Sequence, residues 1–102
     1  MAAWKKAFST SELQPGRSKS VKYDGVQIAV CQVGQEYFAI HDICTHDGGS
    51  LDQGELVEDR IECPRHGAWF NVKTGKVLSF PAVKDIKTFP VKIENNEIYV
   101  EV

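Results

Sequence analysis

A chain of 102 residues, 42% hydrophobic and 25% charged, has room for one domain with a modest core, and its composition excludes disordered, collagen-like and coiled-coil classes. The formal net charge of −2 includes no basic stripe interleaved with aromatics, so nucleic acid is not an expected partner. No apolar run approaches the roughly 20 residues that cross a bilayer, and the opening "MAAWKKAFST" lacks an apolar signal core, so no membrane association and a cytoplasmic location are expected. Three cysteines, Cys31, Cys44 and Cys63, are too few and too odd in number for a disulfide framework. They fit a reducing compartment in which thiols can serve a metal.

In chain order, Trp4 is expected to pack on a strand, and "STSEL" reads as a brief helical turn capped by Ser9 or Ser11. "VKYDGVQIAV" sets Asp24-Gly25 between two β-rich runs, a strong hairpin signal because both turn positions favour positive φ. Val26, Ile28 and Val30 alternate with Gln27, Ala29 and Cys31, which predicts a strand with one buried face. Gly34-Gln35 turns the chain into "EYFAI", Gly75 marks a turn in "KTGKV", and Pro81 makes "SFPA" a loop. "FPVKIENNEIYVEV" predicts a second hairpin about Asn95-Asn96, with Ile98, Val100 and Val102 on one face. The expected fold is all-β: one domain over residues 1–102, a small antiparallel sandwich or barrel with two glycine-punctuated loops inserted in it.

Those loops, about 41–50 and 63–70, hold the reactive groups. Cys44-x-His46 and Cys63-x-x-His66 are separated by the 16 residues 47–62. A thiolate and an imidazole from each loop make four ligands, a set that suits tetrahedral zinc or a two-iron, two-sulfide cluster. The single residue inside the first pair is shorter than the usual zinc-finger spacing, and each pair mixes Cys with His where zinc knuckles repeat one type. Glycines follow each pair, Gly48-Gly49 and Gly67, where backbone N–H groups can approach sulfur.

"CTH" and "CPRHG" at this separation resemble the two cluster-binding loops of the Rieske iron-sulfur proteins. The resemblance implies one 2Fe-2S cluster, with Cys44 and Cys63 on the inner iron and His46 and His66 on the outer one. It implies that residues 79–82, "SFPA", form the proline loop over the cluster. Length and the lack of an anchor are similar to the soluble ferredoxins that feed ring-hydroxylating dioxygenases. The oxygenase enzymes of the family add a mononuclear iron site of two His and a carboxylate. His41 is the one histidine left over here, so the expected role is an electron carrier, monomeric and not itself an enzyme, working between a reductase and an oxygenase or other redox protein. A small subunit of a larger reductase or oxygenase assembly and a zinc-binding interaction module are the alternatives.

High-potential relatives carry a second Cys in each loop, joined as a disulfide, where this chain has Gly49 and Arg65. They also carry Ser and Tyr hydroxyls where this chain has Ala68 and Phe70. Hydrogen bonds to sulfur favour the added electron, so their loss, with Asp47 beside His46, implies a midpoint near the bottom of the Rieske range of about −150 to +300 mV. Cys31 is expected to be a plain strand residue, His41 to have no role, and Trp69 and Phe70 to be core. Arg65 and Asp47 stand beside the histidines in sequence and are open to a docking role. Between His41 and Glu62 seven acids face one base, Arg60, which fits a solvated surface or a face that steers a basic partner.

Overall fold

The computed structural model describes residues 3–45, 49–65, 67–80, 82 and 84–102. His46, Asp47, Gly48, His66 and Pro81, on which parts of the sequence reading rest, lie outside the described residues. The described residues form three antiparallel sheets and no α-helix. The first sheet has the order β1 (Trp4–Ser9), β10 (Glu97–Glu101), β9 (Val91–Glu94). The second runs β2 (Ser18–Tyr23), β3 (Val26–Val33), β4 (Glu36–His41), β8 (Thr88–Phe89), and the third β5 (Leu56–Val57), β6 (Arg60–Glu62), β7 (Trp69–Asn71). Among the described residues no helix is long and apolar enough to cross a membrane.

The turns are where the sequence puts them. Asp24 and Gly25 take φ of 49° and 86°, the primed turn whose twist matches the flanking strands, and it sets the register Tyr23↔Val26 through Ser18↔Cys31. Asn95 and Asn96, at 51° and 64°, do the same between β9 and β10. Gly34 (φ 60°) opens the β3–β4 turn and Gly75 (φ 79°) the turn after β7. Ser9 caps the short 3₁₀ turn Thr10–Glu12 in a reciprocal box with Glu12, one of the two caps expected. A register shift between Lys6 and Phe8 breaks the alternation of β1 and delivers Phe8 to the interior.

The largest departure from expectation is β3. One buried face was the reading of its period-two pattern, but both faces are buried. Ile28 and Val30 join Phe8, Leu13, Ala39, Ile98 and Val100 in a core between the first two sheets. Ala29 and Cys31 point the other way, into a second core with Ile40, Leu51, Ile61, Phe70 and Val72 beneath the third sheet. Small residues on the second face allow the third sheet to approach, while each fully buried aliphatic contributes about 1.5 to 3 kcal/mol. Trp4 also differs: on edge strand β1 it stays 39% exposed, with Lys92 Nζ 4.7 Å above its ring. Strands β5 to β8 have two or three residues each, too short to show a period.

Beyond the strands, Ala3 and Val102 exchange backbone hydrogen bonds of 2.9 and 3.0 Å, so the two ends of the described chain lie side by side. Gly54 marks the closest approach of the long connection to β6: a Cβ there would overlap the Glu62 carbonyl oxygen, one residue before Cys63. Gly54→Ala therefore forces β6 away from the connection. The expected loss is about 1 to 3 kcal/mol, the usual scale of overpacking, read as a lower urea midpoint at unchanged slope.

Candidate metal centre

The first loop leaves β4 at His41, whose N–H donates to the Lys87 carbonyl at 2.8 Å, while the Asp42 N–H donates to Gln27 of β3 at 2.9 Å. Asp42 is fully buried. Its Oδ1 accepts the Leu51 and Asp52 N–H groups at 2.7 and 2.8 Å, and its Oδ2 accepts the Ser50 hydroxyl at 2.9 Å. That hydroxyl also contacts Asp52 Oδ1, and with a single proton it serves one carboxylate at a time. Inside this ring Cys44, also fully buried, donates its N–H to Gly49 at 2.7 Å.

The second loop joins two paired strands, with Glu62 opposite Trp69. Cys63 is fully buried, and its N–H donates to the Ala68 carbonyl at 2.7 Å. Each cysteine thus bonds the carbonyl five residues on. Gly67 (φ 78°) returns its N–H to the Cys63 carbonyl at 2.9 Å, a bend that suits a residue without Cβ.

A third segment lies against both loops. The Ser79 hydroxyl accepts the Trp69 N–H at 3.0 Å, the Thr45 hydroxyl donates to the Lys84 carbonyl at 2.7 Å, and Ala82 is buried in the same core as Cys44 and Cys63. Among its described residues the expected proline loop is therefore tied to the second loop at its start and to the first just beyond its end. Phe80, 82% exposed, and Leu78, 45% exposed, flank Ser79 on the outside. Sequence reasoning singled out neither.

Two buried thiols from two separate loops, walled by Ala68, Phe70, Leu51 and Ala82, make a soft, water-free donor pair. That chemistry fits the inner side of an iron-sulfur cluster. His46 and His66 lie outside the described residues, and among the described residues no group of three or more potential ligands gathers. Cys31 shares the core but differs chemically: the Ser18 hydroxyl donates to its Sγ at 3.3 Å, and burial pushes its thiol up to about 12. Burial of this kind disfavours the thiolate that a metal takes, and Cys31 lies within strand β3.

Phe70 is fully buried as expected, whereas Trp69 is half-buried with the Arg60 guanidinium 5.7 Å from its ring. The acidic stretch is not one surface. Glu55 and Glu58 are exposed, but Asp42 is interior, a structural role the sequence reading missed. The available signal was its place between Ile40 and Ile43 at a strand end, where Asp commonly accepts nearby backbone N–H groups.

Residues 3–90 match the family described as Rieske [2Fe-2S] domain. Ferredoxin CarAc of Metapseudomonas resinovorans is 41% identical over 98 residues, 95% of this chain and 92% of that protein. The ferredoxin component of the naphthalene 1,2-dioxygenase/salicylate 5-hydroxylase systems of Ralstonia sp is 40% identical, over 96% of this chain and 94% of its own length. A chain in the solved complex of reduced oxygenase and oxidized ferredoxin in carbazole 1,9a-dioxygenase superposes with a TM-score of 0.91 at 41% identity, covering 95% of this chain and 91% of that one. The zinc module falls away with these matches. The chain belongs to the Rieske [2Fe-2S] family, and with its single 2Fe-2S cluster it is an electron carrier of the ferredoxin type and not itself an enzyme.

Proposed function

We propose that this chain, folded as one domain over residues 1–102, is the cytoplasmic, monomeric ferredoxin of a multicomponent ring-hydroxylating dioxygenase, taking single electrons from a reductase and delivering them to the oxygenase. The observation that carries this is the pair of buried thiols on two loops that repeat one closure, Cys44 N–H to Gly49 and Cys63 N–H to Ala68, in a chain about 40% identical to ferredoxin components over nearly its whole length. In this reading Cys44, Cys63, His46 and His66 would hold the cluster. When bound, the cluster supplies one-electron redox chemistry at a potential that neutral His ligands raise above that of all-Cys ferredoxins.

The chain's own residues do the rest. The apolar wall of Leu51, Ala68, Phe70 and Ala82 keeps water from the Cys44 and Cys63 sulfurs. Exposed Phe80 and Leu78, flanking the Ser79 that bonds Trp69 of the second loop, give the acceptor an apolar contact beside the cysteine loops. Aromatic anchors of this kind dominate binding energies at protein interfaces.

Cys44→Ser and Cys63→Ser are each expected to abolish visible absorption and to lower the melting temperature, because a metal site's binding energy is also folding energy. A Cys44→Ser protein with parental absorption refutes the ligand assignment. Reduction of the oxygenase, followed by stopped flow, should require about fivefold more Phe80→Ser protein for half-maximal rate, the factor that corresponds to about 1 kcal/mol at an interface anchor. An unchanged rate curve removes Phe80 from the docking face.

The low midpoint rests on the missing hydroxyls. Ala68 and Phe70 are both fully buried in the core that holds the two cysteines. Ala68→Ser and Phe70→Tyr each add a donor, and part of the roughly 1.5 to 3 kcal/mol of a charge-assisted bond separates the redox states. At about 59 mV per tenfold for one electron, each substitution should raise the midpoint by roughly 40 to 60 mV in protein-film voltammetry, with the cluster confirmed by absorbance.

A further inference from the structure

The two loops share an inner closure and differ in the outer one. Around Cys63 the outer closure is a β-ladder, because Glu62 pairs with Trp69 and Ile61 with Phe70. Around Cys44 the described residues form no ladder: β4 ends at His41, and the described part of the returning chain enters no strand until Leu56. What brings the two sides together is one carboxylate. Asp42 is held by its own N–H to Gln27 of β3, and it reaches across to the backbone N–H groups of Leu51 and Asp52.

We propose that Asp42 is the positioning residue of the first cluster-binding loop, its carboxylate replacing the strand pairing that closes the second loop and so fixing the direction in which Cys44 is presented. The inference rests on the reading that Cys44 binds the cluster. Asp42 acts through the backbone N–H groups it accepts. A fully buried carboxyl group in place of an apolar residue is stable only if its oxygens are satisfied, and here the two backbone donors, with the Ser50 hydroxyl that it shares with Asp52, all come from the returning side of the loop. The loop cannot open without leaving those buried oxygens unpaired.

The experiment compares the full chain, purified with its cluster, as parent, Asp42→Asn, Asp42→Ala and Cys44→Ser. Asparagine keeps Oδ1 as acceptor for both backbone N–H groups, so Asp42→Asn should retain the parental EPR g values of the dithionite-reduced protein. Asp42→Ala should shift or broaden them and hold iron about 10- to 100-fold less tightly against a chelator series, the scale for losing a group that orients a metal ligand. Parental g values and iron retention in Asp42→Ala overturn the proposal. So does equal damage in the Asn and Ala variants, which assigns the effect to charge instead of geometry. If Asp42→Ala does not fold, amide hydrogen exchange in Asp42→Asn decides: protection of Leu51 and Asp52 at parental levels carries the proposal, and their free exchange with unchanged g values overturns it. Cys44→Ser separates the two levels of inference. If it keeps the cluster, the ligand reading fails and the proposal with it. If it loses the cluster while Asp42→Ala is indistinguishable from the parent, only the role of Asp42 falls.

Discussion

Strand β3 is the element on which the other parts converge, because it is walled on both faces. Its Ile28 and Val30 anchor the sandwich against β10, and its Ala29 and Cys31 form the floor under the cysteine loops. A change on either face is therefore transmitted through a single backbone whose neighbours β2 and β4 fix its register residue by residue. Close packing leaves no slack between the two cores, and the loop that starts at Asp42 inherits its position from Gln27 at one end of this strand.

Much of this was legible in the sequence, for identifiable reasons. Hairpin turns at Asp24-Gly25 and Asn95-Asn96 were readable because positive φ is a local demand that few residue types meet. The family was readable because metal chemistry restricts both residue type and spacing in the cysteine-histidine pairs. The second buried face of β3 was not, since Ala29 and Cys31 are small and look like neutral spacers in an alternating pattern until a third sheet is known to cover them. Nor was the interior place of Asp42, which counts as one more acid in an acidic run until its three donors, all eight to ten residues away, are seen. Trp4 misled in the opposite direction. An edge strand can leave an indole half in water with a lysine ammonium over its ring, and sequence carries no mark of which strand is an edge.

The surroundings of the two buried thiols divide into an apolar side and a hydrogen-bonded frame. Ala68 and Phe70 offer no side-chain donor to sulfur, and the polar groups nearby are spent on fixing backbone: Asp42 on the first loop, Ser79 on Trp69, Thr45 on Lys84. The polar groups thus brace the loops while the sulfurs face an apolar wall, and exposure is left to Phe80, Leu78 and the outer surface.

The paired backbones of Ala3 and Val102 have an architectural corollary. A fold whose ends meet edge to edge in one ladder interrupts a host chain by only a few ångströms, so it can be spliced into a loop of another protein without prising that protein apart. The same adjacency permits circular permutation: a short linker across the old ends, with new ends cut at the Asp24-Gly25 turn, keeps every sheet order and leaves both cysteine loops far from the cut along the chain.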